Sequence, residues 1–109
     1  MTIERKVVLS IEDNQDIAHL IRLVLRHAPI ELLQATTGDE ATLILAKRKP
    51  DLILLDMMLP GKTGLDYLAE LRQDARFADT PVVVISVRAD TVYRTRAREL
   101  GVVRYLLKP

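Results

Sequence analysis

Asp51-Leu52-Ile53-Leu54-Leu55-Asp56-Met57-Met58-Leu59-Pro60-Gly61 is the stretch whose reading decides the fold. Leu52 to Leu55 form an unbroken apolar run, too short for a typical helix and bounded by Pro50 before and Pro60-Gly61 after. Such a run predicts a strand buried on both faces, the pattern of a central strand in a parallel sheet. It ends in a carboxylate, Asp56, at the carboxyl edge where open α/β sheets place their chemistry. Burying an unpaired charge costs on the order of several kcal/mol. Other parts of the chain must therefore supply groups that compensate Asp56.

Outward from that strand, β and α signals alternate. Lys6 to Ile11 is mostly apolar and β-branched and stops at Glu12-Asp13-Asn14, which predicts a strand and an acidic turn. Ile17, Leu20, Ile21, Val24 and Leu25 recur at helical spacing, with Asn14 as N-cap and the helix failing by Pro29. Ile30 to Ala35 predicts a second strand, and Thr37 with Glu40 has capping-box spacing for a helix reaching about Lys49. Beyond Asp56, a helix begins at Thr63 or Gly64 with Leu65, Leu68 and Leu71 turned inward. Pro81 opens the apolar run Val82-Val83-Val84-Ile85, which ends at Ser86. A weaker helix runs from Asp90 or Thr91 to Leu100, with Gly101 as its C′ residue, and Val102 to Leu107 forms the last strand.

This order predicts a doubly wound α/β domain, a five-stranded parallel sheet with helices on both faces joined by right-handed crossovers. In such a sheet Glu12-Asp13, Asp56, Ser86 and Lys108 all fall at one edge. Carboxylates gathered there repel, by about 4 kcal/mol for one pair at 4 Å and an effective dielectric of 20. Oxygen ligands of this charge suit a hard divalent cation such as Mg²⁺. With a lysine and a hydroxyl added, the set is built to receive a phosphoryl group on Asp56.

The bulk numbers restrict the alternatives. The chain has 109 residues, enough for one domain, and its 49% hydrophobic and 28% charged residues are ordinary for a globular protein. A net charge of +1 provides no global field towards nucleic acid or membrane. The absence of cysteine excludes disulfides and thiolate metal sites. With no apolar run long enough to span a bilayer and no signal-type segment, the expectation is a cytoplasmic, soluble protein.

With Glu12-Asp13-Asn14, Asp56 followed by Leu59-Pro60-Gly61 and Gly64, Ser86, Gly101, Tyr105 and Lys108-Pro109 in this order, the chain resembles the receiver domain of two-component response regulators over essentially its whole length. The resemblance implies a flavodoxin-like sheet of order 2-1-3-4-5. It implies Asp56 as the residue that takes phosphate from a partner histidine kinase or phosphotransfer protein. Asp13 would hold Mg²⁺ directly and Glu12 mostly through water, with Asp56 and the backbone carbonyl of Met58 completing the protein ligands. Lys108 would pair with Asp56 and then with its phosphate, and its bond to Pro109 would be cis. Ser86 would bond a phosphoryl oxygen while Tyr105 turns inward, so that Ser86 and Tyr105 form the switch. The module would be no enzyme for outside substrates, only a phosphoacceptor that catalyses its own phosphorylation and dephosphorylation. Its further contacts would be a downstream protein target or output domain and a second copy of the chain, with no direct nucleic-acid or membrane contact.

The receiver family also supplies a final helix after the lysine-proline pair. The reading is therefore of residues 1–109 as a partial receiver domain lacking that helix, with apolar residues of the fourth and fifth strands facing water. Arg88, Arg94, Arg96, Arg98 and Arg104 crowd the fourth helix and fifth strand, either as a solvated face or, as in the family, a signalling surface. His19 and His27 are read as surface positions and Met57-Met58 as packing, since thioether sulfur is too soft for this cation. Two rival functions stand beside the switch. An aspartyl-nucleophile phosphatase or phosphotransferase needs an acid two residues after the nucleophile, where this chain has Met58. A degenerate receiver acting only as a binding module would not need the acidic pair, Ser86 and Lys108.

Overall fold

Three strand registers bring the predicted residues to one place. In the computed structural model, which describes residues 5–88 and 90–108, five parallel strands pair in the order β2-β1-β3-β4-β5. The elements are β1 (Lys6–Ile11), α1 (Gln15–Leu25), β2 (Ile30–Ala35), α2 (Gly38–Leu45), β3 (Leu52–Leu55), α3 (Gly64–Gln73), β4 (Val82–Ser86), α4 (Thr91–Glu99) and β5 (Arg104–Leu107). Ile11 lies opposite Leu55, Leu55 opposite Val84, and Ser86 opposite Leu107. The residues that follow these positions, Glu12, Asp56 and Lys108, are therefore neighbours at the carboxyl edge. Main-chain bonds continue the ladders into the loops, from Asp56 N–H to Ile11 O (3.2 Å) and from Lys108 N–H to Ser86 O (2.9 Å). The expected sheet is present, in the expected order.

One face of the sheet carries the core. Leu9, Ile11, Ile53, Leu55, Val82 and Val84 alternate along three strands and pack with Met57, Leu68, Leu71 and Phe77, all buried. Each fully buried aliphatic side chain of this kind contributes roughly 1.5–3 kcal/mol. The opposite face is thinner. Leu52 and Leu54 of β3 are only half-buried, so the expected burial on both faces holds for Ile53 and Leu55 alone. No residue of α1 is buried, although its apolar residues recur at helical spacing. The stripe borders a groove floored by Leu54 and Ile85. Of the residues of the fourth and fifth strands expected to face water, Val103, Leu106 and Leu107 do, Val83, Ile85, Val102 and Tyr105 are half-buried, and Val82 and Val84 are buried.

Helix boundaries follow local chemistry. Asn14 Oδ1 accepts from the N–H groups of Asp16 (2.9 Å) and Ile17 (3.1 Å), capping α1. Thr37 Oγ1 accepts from Glu40 N–H (3.0 Å), and the Glu40 carboxylate reaches back to Thr36 N–H (3.0 Å), one residue before the usual partner. The second helix ends at Leu45, four residues short of the expected Lys49, where the Lys47 and Arg48 N–H groups both turn back to Ile44 O (3.0 and 2.9 Å). The fifth strand starts at Arg104 and not Val102, whose N–H is spent on Ala97 O (3.2 Å) in closing α4. Asp90 takes the N-cap position of α4 without a side-chain capping bond. Pro109 lies outside the described residues, and with it the expectation of a cis bond.

Candidate phosphoacceptor site

Asp56 is 3% exposed, at the end of the strand that opened the argument. Each of its carboxylate oxygens is satisfied: Oδ1 accepts from Met58 N–H (3.0 Å) and Oδ2 from Lys108 Nζ (3.0 Å). Lys108 also donates to Glu12 at 2.8–2.9 Å, so one ammonium lies between two buried carboxylates. This compensates the charge the sequence required at Asp56, by a route the sequence had only half anticipated. Glu12 was expected as a mostly water-linked metal acid; it is 3% exposed and pairs directly with the lysine.

Electrostatics of the trio follow from burial and pairing. Burial raises the Glu12 carboxyl above its usual range, with Lys108 and Asn14 N–H opposing and the nearby Asp56 charge reinforcing. Burial would lower the Lys108 ammonium, but its bonds to Glu12 and Asp56 outweigh that and leave it raised. Lysine therefore stays charged while it holds both acids.

Asp13 is exposed, and Glu12, Asp13 and Asp56 each present an oxygen within 4.8 Å of the others. All three donors are hard oxygens, two buried and one open to solvent. This donor set fits a divalent cation of the Mg²⁺ class that retains part of its water. Met58 lies in the same loop, and its side chain is 42% exposed at the mouth of the site.

The predicted switch residues adjoin each other. Ser86 is buried, and its Oγ accepts from Arg88 N–H (3.1 Å). The Tyr105 hydroxyl donates to Arg88 O (2.8 Å), and burial raises its phenol, with Ser86 next in effect and opposing. Arg88 thus links Ser86 to Tyr105 through its main chain, a role no side-chain pattern could have revealed. Its guanidinium points elsewhere, bonded to Asp90 (2.7 Å) and stacked 4.2 Å from the centre of the Tyr93 ring. His19 and His27 are exposed on and just after α1, away from these groups.

Two glycines shape the approach. Gly61 has φ +79°, a conformation that favours glycine. A Cβ on Gly64 would lie 2.0 Å from Asp56 O, so the start of α3 presses directly on the backbone of the phosphoacceptor candidate.

Comparison with known proteins agrees with this geometry. The sequence profile of the response regulator receiver domain matches residues 8–109. The phosphate regulon transcriptional regulatory protein PhoB of Pseudomonas aeruginosa is 33% identical over 95% of this chain and 45% of its own length. The DNA-binding response regulator MtrA of Mycolicibacterium paratuberculosis is 32% identical over 96% of this chain and 45% of its own. The chain thus spans less than half the length of these curated relatives. Among solved structures, the Mn²⁺-bound form of response regulator Rcp1 superposes with a TM-score of 0.89 at 33% identity, covering 95% of this chain and 81% of that one. The phosphorylated cyanobacterial phytochrome response regulator RcpA superposes with a TM-score of 0.90 at 32% identity, covering 97% and 82%. Fold, edge constellation and sequence profile together make this chain a member of the response regulator receiver domain family, the phosphorylated module of two-component signalling.

Proposed function

We propose that Asp56 accepts a phosphoryl group from a histidine of a partner kinase or phosphotransfer protein in the cytoplasm, and that the phosphorylated chain presents an altered face to a downstream protein or output domain. The observation that carries this reading is the single Lys108 ammonium held between Glu12 and Asp56 with Asp13 beside them. In the transfer, an Asp56 carboxylate oxygen attacks phosphorus. A P–O bond forms as the P–N bond to the donor imidazole breaks, and that electron pair returns to the imidazole nitrogen. Lys108 moves its charge from the carboxylate to a phosphoryl oxygen. The Ser86 hydroxyl, whose lone pair already takes Arg88 N–H, keeps its proton to donate to another.

Asp13 and Asp56, with Glu12 and the Met58 carbonyl, are the groups that would hold Mg²⁺. When bound, the cation neutralises charge spread over the transferring phosphoryl oxygens. No carboxylate stands two residues beyond Asp56, where Met58 provides neither acid nor base, which favours a self-modifying switch over a hydrolase of outside substrates.

Intact mass after incubation with acetyl phosphate and Mg²⁺ tests the reading. One added phosphate is expected, lost on Asp56→Asn, on Asp13→Ala and on chelation of the metal. Phosphate retained by Asp56→Asn, or catalytic release of phosphate from assorted esters, would overturn it.

A further inference from the structure

At the amino-terminal edge of the sheet, opposite Asp56, a cleft of about 480 Å³ opens where Thr80-Pro81 leads into β4 and Leu100 to Val103 leads into β5. Thr80 is 5% exposed, and its Oγ1 is a buried polar atom with no hydrogen-bond partner among the described residues. Buried polar atoms are nearly always bonded, so an orphan in the wall of a cleft marks a place for a ligand. Arg72 lines the same wall, its Nη1 donating to Thr80 O (2.7 Å). Its guanidinium is half-buried, yet it pairs with no carboxylate among the described residues and meets only neutral carbonyls. Nη2 is the least engaged of its nitrogens, with Gly101 O at 3.4 Å. Asp79, exposed on the rim, likewise forms no ion pair among the described residues. Burial loosens the Arg72 proton and the Asp79 charge opposes that, so acid and base stand within electrostatic reach without touching. Glu99, the other acid of the cleft, is taken by Arg96 (3.2 Å).

We propose that this cleft binds an aliphatic α-amino acid as its zwitterion, a site that goes beyond the phosphotransfer reading and does not depend on it. The ligand carboxylate accepts from Arg72 Nη2 and from the Thr80 hydroxyl, and the ligand ammonium donates to Asp79. Its side chain lies against Pro81, Leu100 and Val103, the last 63% exposed. The order of charges selects the class. A simple carboxylate sets its charge beside Asp79 with nothing to offset it, and a simple amine does the same beside Arg72. Phosphate meets that same Asp79 as a dianion, and the guanidinium has spent its other nitrogens on carbonyls. Water satisfies the Thr80 hydroxyl but brings no charge to Arg72. Small-molecule sites of roughly 300–1,000 Å³ set a few polar groups in apolar walls, and this cleft has that size and composition.

Titration of the full chain, followed by the NMR shifts of its backbone amides, tests this with three probes. They are L-leucine, 4-methylpentanoate, which lacks the ammonium, and 3-methylbutylamine, which lacks the carboxylate. Leucine is expected to shift the amides of Thr80 and Gly101 and to saturate. The other two should bind about tenfold more weakly, as for loss of one charge-assisted hydrogen bond. Thr80→Val removes the hydroxyl and keeps the shape of the side chain. It should weaken leucine by about tenfold while the melting temperature of the free protein does not fall, because that hydroxyl has no partner there to lose. Asp79→Asn, at an exposed position, should bring leucine and 4-methylpentanoate to similar affinities. Arg72 is left in place, since its bonds to five carbonyls also hold the fold. Leucine that leaves the Thr80 and Gly101 amides unmoved, equal affinity of the wild type for leucine and 4-methylpentanoate, or undiminished leucine binding in Thr80→Val would each overturn the proposal.

Discussion

Gly64 shows how a residue with no side chain sets the geometry of a charged site. Its N–H donates to Met57 O (2.8 Å), and an added Cβ would stand 2.7 Å from Met57 Cα as well as against Asp56 O. Both obstacles are backbone at the end of the central strand, which cannot swing aside as a side chain can. Gly64→Ala should destabilise the protein by about 3 kcal/mol, in the range of forced overpacking, and slow phosphorylation of Asp56. Gly61→Ala meets nothing within 4 Å and strains only its own φ, so its cost should be nearer 1 kcal/mol. Urea titrations of both variants check the contrast, and equal midpoints would sink the packing argument. At this scale the sequence placed Glu12-Asp13, Asp56, Ser86 and Lys108 at one edge of the sheet, because each stands at the end of a readable strand. It did not reveal that Glu12 shares the lysine, since pairing depends on register between strands 96 residues apart in chain position. The use of Arg88 main chain was equally hidden.

Among the elements, α3 and α4 are tied together by one side chain that no motif marked. Arg72, in the last turn of α3, donates to the carbonyls of Phe77 (3.0 Å), Ala78 (3.3 Å) and Thr80 (2.7 Å) in the following turn. It also reaches Leu100 O (2.7 Å) and Gly101 O (3.4 Å) at the end of α4. These carbonyls belong to helix ends and turns, which have no intrahelical donors of their own. Burial lowers the guanidinium's affinity for its proton, with Asp79 opposing, yet the group remains a cation shared among oxygens. Arg72→Met keeps the stem and removes every donor. It should cost about 3 kcal/mol through carbonyls left without partners, and Arg72→Lys should recover only part, because a point charge cannot span two helix ends. Thermal melts of the pair decide it: an unchanged midpoint in Arg72→Met would show that water replaces the bonds freely. Element types were legible from period and turn residues, as at Thr37 and Pro81. Their ends were less so, because closing α4 consumes the Val102 N–H that strand propensity alone would give to β5.

On the scale of the whole molecule, the two faces of the sheet are unequally covered. The face under α2, α3 and α4 holds the buried core, whereas the α1 face opens into a groove of about 230 Å³. Ile17, Leu20, Ile21, Val24 and Leu25 form one wall, and Leu54 and Ile85 the floor, with the Lys108 stem at the end near Asp56. Val24 is 71% exposed and Leu20 45%, and Leu106 at 45% and Leu107 at 51% extend apolar surface along β5. Contiguous apolar surface of this kind marks an interface or a tendency to associate. Association between copies should use the α1 side, where the apolar wall and floor of the groove lie open. Equilibrium sedimentation of the chain should therefore give a weight-average mass that rises with concentration. Val24→Glu, which places a charge on the exposed wall without touching the core, should return it to the monomer. Its melting temperature should stay within about 2 °C, as for a solvent-exposed substitution worth less than about 0.5 kcal/mol. A wild-type chain that stays monomeric at high concentration, with a sharp cooperative melt, would mean that the groove is covered well enough by α1 and the Lys108 stem. The same monomeric result for wild type and Val24→Glu would then remove any role for this face in association.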